Sequence, residues 1–385
     1  MQYRRRPRSR PRNAIAFFLL ILALLASAPA AAQRRSGAAV PSKPELGSLG
    51  ERINANTVAV ISGNPNATYM TIAYDLSAVL DDGDDFRILP VIGRGGGQNI
   101  KDVRFMKGVD LGITQSNLLG AYKRSNEIGP IDDKIVYIAK LFNEEMHLIV
   151  RADSGITSIE QLAGKKVNFS DIGSGTQLST REIFGLIGVK AVEVNMGQGD
   201  AIEKLKSGEI AATVLIAGKP AALMARLKAA EGFRILPVAY AKPLQSEYLP
   251  ATLSAEDYPG LIAPGEKIES VAVGAVLIAF NWPKGTDRYR RIQKFVEAFF
   301  PRLAEFQKPP RHPKWREANL AAVLPGWKRF EGAEEWLRAR DKSVEREQFN
   351  QFVARRAAKP VALSTGERDL LFQEFLSWSK SREGR

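Results

Sequence analysis

Cysteine is absent from all 385 residues. That excludes disulfides, thiolate metal sites, a cysteine nucleophile and the lipidated cysteine that tethers many exported bacterial proteins. Histidine is nearly absent too. His147 lies in a strand-like pattern and His312 in a proline-rich linker, so neither a zinc site nor a serine–histidine–acid arrangement is expected. The run Gly173-Ser174-Gly175 lacks the five-residue Gly-x-Ser-x-Gly signature of a nucleophile elbow. Gly93 to Gly97 lacks the lysine–serine pair of a phosphate loop and does not match a dinucleotide fingerprint. The acids between Asp81 and Asp85 lack the alternating ligands of a calcium loop and read as a solvated turn. No basic patch is interleaved with aromatics, so nucleic acid is not an expected partner. No catalytic residue, metal or cofactor is expected, and the protein does not read as an enzyme.

What is present begins with an address. Six arginines fall between Arg4 and Arg12, an apolar run follows from Ala14 to Ala26, and small residues end at Ala30-Ala31-Ala32. This is the pattern of a secretory signal peptide over residues 1–32, with cleavage expected after Ala32 and a periplasmic destination. The formal charge of +13 falls to +7 once those six arginines are removed (13 minus 6). Residues 33–56 are rich in Ser, Pro, Gly and Ala without periodicity, and read as a flexible lead-in.

Beyond Thr57 the chain reads as built twice. Gly97 to Gly108 recurs as Gly197 to Gly208: Gly-Gln opens each, a short amphipathic helix follows, and a basic residue leads to a closing glycine. Strand-like runs precede the copies (Phe86 to Ile92, Ala191 to Asn195) and follow them (Val109 to Gln115, Ile210 to Ile216). The hexapeptide Phe-Arg-Ile-Leu-Pro-Val also stands at both Phe86 and Phe233. Two such α/β units predict a pair of lobes with a ligand cleft between them. A first crossing between lobes is expected near Leu141 to Glu145, separating strands Ile135–Phe142 and Met146–Val150. The apolar run Ser270 to Phe280 is expected to be the return strand, and two crossings allow a hinge. The expected organisation is 57–141 with 270–306 as lobe 1, 142–269 as lobe 2, and 307–385 as a helical C-terminal extension. In that extension Trp315, Trp327 and Trp336 are expected to brace lobe 1.

Four segments place small or polar residues where a strand gives way to a helix: Ser62 to Tyr69, Arg94 to Asn99, Gly173 to Thr176, and Ala217 to Pro220. Helix N-termini carry unpaired N–H groups and a partial positive charge, which suits a carboxylate, and charge-assisted bonds there contribute about 1.5–3 kcal/mol each. The expected ligand-binding residues are Ser62, Asn64, Thr68, Tyr69, Gly96, Gly97, Asn99, Gln115, Asn117, Ser174, Gly175, Thr176, Gly218 and Pro220. Asn66 or Thr68 is expected to cap the helix that follows Thr68, and Pro220 to open another.

The same residues carry a resemblance. Thr68-Tyr69, Gly95-Gly96-Gly97-Gln98-Asn99, Val109 to Asn117, His147 to Arg151, Leu162 to Val167, Gly173-Ser174-Gly175-Thr176 and Ala217-Gly218-Lys219-Pro220 together resemble the TAXI group of TRAP-transporter solute-binding proteins. The resemblance spans about Thr57 to Phe300. It implies a two-lobed α/β fold of the type II periplasmic binding-protein kind. It also implies capture of a small organic anion, an amino acid or dicarboxylate, and its delivery to the sodium-coupled membrane permease of a TRAP transporter; a monomer is expected. Two departures bear on the ligand. Asn66-Ala67-Thr68-Tyr69 stands where the family has Gly-Gly-Thr-Tyr, and Asn117 stands where an acidic residue often follows the Gln-Ser pair. Two other readings remain open. One is an exported ligand-sensing adaptor that signals to a membrane partner; the other is an exported hydrolase using Ser174.

Overall fold

The computed structural model describes residues 46–356, apart from Asn66 and Asp84, together with Leu371, Phe372 and Phe375. The signal-peptide segment 1–32, most of the lead-in and most of the chain beyond Arg356 lie outside the described residues. The first half runs α1 (Leu46–Asn56), β1 (Thr57–Ile61), α2 (Thr68–Leu80), β2 (Arg87–Val91), α3 (Gly96–Phe105), β3 (Leu111–Gln115), α4 (Leu118–Ser125) and β4 (Ile135–Arg151). The second runs β5 (Lys166–Asn168), α5 (Gly175–Leu186), β6 (Val192–Val194), α6 (Gln198–Lys206), β7 (Ala212–Ala217), β8 (Phe233–Leu236), β9 (Leu249–Ser254) and β10 (Lys267–Phe280). The chain then returns through α7 (Asp287–Phe299), α8 (Leu303–Phe306) and α9 (Glu331–Arg356).

One sheet runs through both halves in the order β2-β1-β3-β10-β4-β7-β5-β6. Read inward from each end, the order is the same: β2-β1-β3 from one side and β6-β5-β7 from the other. Each trio is parallel, and each meets an antiparallel long strand, β10 beside β3 and β4 beside β7. The repeated glycine units are therefore equivalent elements, α3 with β3 and α6 with β7. The hexapeptide is not part of that repeat. At Phe86 it leads into β2, but at Phe233 it forms β8, which pairs with β4 instead of occupying the place of β6.

Alternation along the strands divides the buried side chains between the two faces of the sheet. In the first lobe, Val58, Val60 and Leu277 face α2 and α7, packing with Ile72, Leu76, Ile292 and Phe295. Ile61, Val276 and Ile278 face α3 and α4, packing with Ile100, Val103 and Leu118. In the second, Leu148, Val214 and Val273 pack with Ile183 and Phe184 of α5, while Ile149 and Ile268 pack with Ile202 and Leu205 of α6. Helices thus cover both faces of each half. This is the two-lobed α/β architecture expected of a type II periplasmic binding-protein fold.

Several local expectations differ. The strands expected at 135–142 and 146–150 are one strand of 17 residues, because β10 supplies hydrogen-bond partners from Glu145 to Ile135 and β7 supplies them from Glu145 to Val150. The lead-in is helical over Leu46–Asn56. Arg291 donates to the Asn54 carbonyl and Lys294 to the Asn56 side chain, both at 3.1 Å, a tertiary support that local composition does not reveal. Helix α2 starts after Ala67 with no side-chain cap, since the Thr68 hydroxyl donates instead to the Gly218 carbonyl at 3.3 Å. No helix opens at Pro220. The Lys219–Pro220 bond is cis, and the amides of Lys219 and Ala221 donate to Glu145 and to the Tyr258 hydroxyl.

The chain after α8 closes the first lobe. Trp315 is wholly buried against Phe299 and Phe306, with ring centroids 5.8 and 4.6 Å away, and its indole N–H donates to Asp75 at 2.9 Å. Further on, Asn319 N–H donates to Lys140 O, Tyr137 N–H to Lys328 O and Phe330 N–H to Tyr137 O. These bonds cover backbone of β4 that would otherwise be an open edge. Trp315→Ala should lower unfolding free energy by about 3–5 kcal/mol, read by denaturant titration; a loss below about 1 kcal/mol would show that the tail lies on the lobe without supporting it.

Candidate functional site

A cavity of about 390 Å³ lies between the lobes. Its walls are the N-termini of four helices. Ala67, Thr68 and Tyr69 begin α2, Gly95 and Gly96 precede and begin α3, Ser174 to Thr176 begin α5, and Gln198 and Gly199 begin α6. In each case a strand ends in a short loop and the helix turns back over the sheet, so the first amides point away from their own helix and have no intrahelical partner. Gly95 takes φ of +96°, a backbone conformation open to glycine and costly for other residues. Arg94 and Arg226 stand exposed on the lining, and Leu215, Ile216, Ala221 and Leu223 give it an apolar side.

At the floor, β4 crosses from one lobe to the other and presents Glu144, which is 3% exposed. Tyr69 donates its hydroxyl to Glu144 Oε2 at 2.6 Å, and the Gln115 side chain, also on the lining, is a second neutral group that favours its ionised form. The next residue points to the other face of the strand: Glu145 accepts from Lys314 Nζ at 2.6 Å and from Lys219 N–H at 3.0 Å. Lys314, itself 2% exposed, also binds Glu317 at 2.7 Å. Glu144 thus has neutral donors only. Burial pushes its carboxyl up to about 8, against the smaller opposite pull of the Tyr69 and Gln115 hydrogen bonds. The Tyr69 hydroxyl is raised as well, by burial first and then by Glu144.

Of the expected binding residues, Asn64, Thr68, Tyr69, Gly96, Gln115, Ser174, Gly175 and Thr176 line this cavity. The other six do not. Ser62 donates to the Val91 carbonyl at 2.7 Å, and Asn99 donates to the Ser62 and Ile113 carbonyls, each at 2.7 Å. Both side chains satisfy buried backbone where β1, β2 and β3 end, a structural need that outranks ligand contact. Gly97 faces the opposite lobe, and a Cβ there would meet Gly173 O and Leu178 Cδ1 at 2.5 Å. Gly218 packs against Phe142, Thr68 and Lys314. Pro220 sits in the turn after β7, while its neighbours Ala217, Ala221 and Ala222 reach the lining.

Asn117 lies in a latch. Its amide donates to Glu182 at 2.7 Å and to Ser179 and Tyr248 at 3.0 Å, and Arg124 forms an ion pair with Glu182. Ser179 also donates to Gln115 Oε1 at 2.6 Å, and Gln98 N–H donates to Gly173 O at 2.8 Å. The lobes are therefore held together beside the cavity by side chains from both.

The hydroxyls expected to bind ligand are largely engaged. Ser174 Oγ accepts from Gln177 N–H as the cap of α5, which is a helix-capping role and gives no base to activate it. Thr176 Oγ1 is bonded to both the N–H and the carbonyl of Ile216. What remains toward the cavity is backbone, the two arginines and the carboxyl groups of Glu144 and Asp171. Arg94, Glu144, Asp171, Gln198 and Arg226 also line the cavity, although none is among the expected ligand-binding residues. The Gly-Gln repeat marks Gln198 and the loop from Arg94 to Asn99 contains Arg94, while Glu144 carries no signal because it falls in the segment Leu141 to Glu145 that reads only as a crossing between lobes.

The close approach at Gly97 generates a test. Gly97→Ala should hold the lobes apart, lengthening an interlobe distance measured between spin labels on introduced cysteines, one per lobe. An unchanged distance would mean that the contact does not govern closure.

The chain is similar to several solved structures. One described as a periplasmic transporter shares 15% identity, with 74% of this chain and 93% of that one covered and a TM-score of 0.46. The alkanesulfonate-binding protein SsuA from Xanthomonas axonopodis pv. citri, bound to MOPS, shares 13%, covering 79% and 95%, with a TM-score of 0.41. The periplasmic binding protein BugD shares 14%, covering 68% and 87%, with a TM-score of 0.42. The profile of the NMT1-like family matches residues 63–313, more than half of the sequence, and the chain belongs to the NMT1-like family.

Proposed function

We propose that this protein is an exported solute receptor of a TRAP-type transporter, of the TAXI group, that encloses a small organic anion between its lobes and delivers it to a membrane permease. The observation that carries the reading is the convergence of four helix N-termini, with Arg94 and Arg226, on one interlobe cavity. A carboxylate placed there meets amides that lack partners and the positive ends of helix dipoles, in a site large enough for a molecule of a few carbons. The apolar side formed by Leu215, Ile216, Ala221 and Leu223 accommodates an aliphatic body. Ligand contact from both lobes favours the closed arrangement, which is the form a permease would distinguish from the empty receptor.

Calorimetric titration with succinate, 2-oxoglutarate, 4-methyl-2-oxopentanoate and the corresponding amino acids tests the reading. At least one carboxylate should bind with about micromolar affinity, equivalent to about 8 kcal/mol; no heat from any of them contradicts it. Arg94→Ala should weaken that binding at least about tenfold, the loss of one charge-assisted contact. Gly175→Val should weaken it more than it weakens folding, because a Cβ at that position already stands 2.8 Å from the Gln115 side chain. Equal losses of binding and stability would contradict the placement.

A further inference from the structure

Glu144 is a buried carboxyl group at the floor of a cavity walled by four helix N-termini and lined by Arg94 and Arg226, with Asp171 as the other acid on the lining. The neighbouring cation is committed elsewhere: Lys314 Nζ bonds Glu145 at 2.6 Å and Glu317 at 2.7 Å. A buried carboxylate with no cation in contact is costly and takes up a proton instead. On the protein side Glu144 meets neutral groups only, the Tyr69 hydroxyl from α2, which donates to it, and the Gln115 amide from β3. The capacity left toward the cavity is the donor of a protonated acid, an O–H.

Resting on the receptor reading above, we propose that Glu144 is a specificity-determining residue: as a neutral acid it donates a hydrogen bond to an oxygen of the solute, selecting oxo acids and carboxylates over their ammonium-bearing counterparts. The charged groups around it agree with this assignment. Glu145 on its own strand is paired with Lys314, Asp171 and the two arginines lie elsewhere on the lining, and His147, further along β4, is buried against Tyr258 and the Leu215 carbonyl. An ammonium at Glu144 would have to displace the proton and sit near Lys314, which contributes a field of the same sign.

The consequence is a proton-linked affinity whose sign is fixed. Glu144 titrates near 8, so below that pH the acid is intact and the site is ready. Above it the group ionises, the donor is lost and a negative charge faces the anion. Bound anion raises the midpoint further, so binding takes up a proton in that range.

Titrate the purified full-length protein with 2-oxoglutarate against L-glutamate, and 4-methyl-2-oxopentanoate against L-leucine, from about pH 6 to about pH 9.5. Each pair differs by a keto oxygen in place of an ammonium. The oxo acid should bind at least about tenfold tighter in one pair, with affinity falling about tenfold per pH unit above the midpoint. In Glu144→Gln that pH slope should vanish. Tyr69→Phe, which removes a bond favouring the ionised form, should move the fall to higher pH. Tighter binding of the amino acids, or affinity that is flat or rises with pH, overturns the proposal while leaving a receptor. Silence of all four compounds at every pH removes the receptor reading and this proposal with it.

Discussion

The arrangement depends on one antiparallel pair. Strands β4 and β10 run from one lobe to the other side by side, paired from Ala272 with Glu145 to Phe280 with Ile135. Because both crossings are strands of the same sheet, their backbone groups stay bonded as they pass between two cores, and no polar main chain is stranded at the junction. That continuity allows the two halves to be covered by helices on both faces and still leave their N-termini facing each other. It also carries Glu144 to the floor of the cavity and Glu145 to the opposite face of the same strand, where they meet different partners.

The two glutamates show how burial divides identical side chains. Glu145 has Lys314 and a backbone amide; Glu144 has a phenol and an amide side chain. The lysine comes from the segment after α8, which also buries Trp315 and covers β4. One stretch of chain beyond the repeated units therefore supports a lobe and neutralises one of two adjacent carboxyls, leaving the other for the cavity.

Much of this was legible in the sequence, and the reasons are local. Glycine loops followed by apolar residues at helical spacing marked α2, α3 and α6, and the near-continuous apolar run from Ser270 marked β10, because those patterns arise from backbone geometry and burial on two faces. The repeat of Gly-Gln at residues 97–98 and 197–198 identified equivalent elements. What escaped was set by distant partners. Residues 135–151 read as two strands because the polar residues Asn143, Glu144 and Glu145 interrupt the apolar pattern, and only the neighbouring strands supply the bonds that keep the backbone extended there. Ser62, Asn99 and Asn117 look like ligand donors in sequence, yet each is used by the protein itself. Glu144 was missed for the converse reason: nothing near it in sequence shows that Lys314, Tyr69 and Gln115 converge around it.

The central claim is that the opposed helix N-termini enclose a carboxylate. Its most direct measurement is a crystal structure of the protein purified without refolding, or grown with 2-oxoglutarate. The account places a carboxylate against the amides of Gly96, Gly175 or Thr176, with its far end toward Glu144. A closed cleft with those amides turned from the cavity, or a solute seated outside it, would contradict the account.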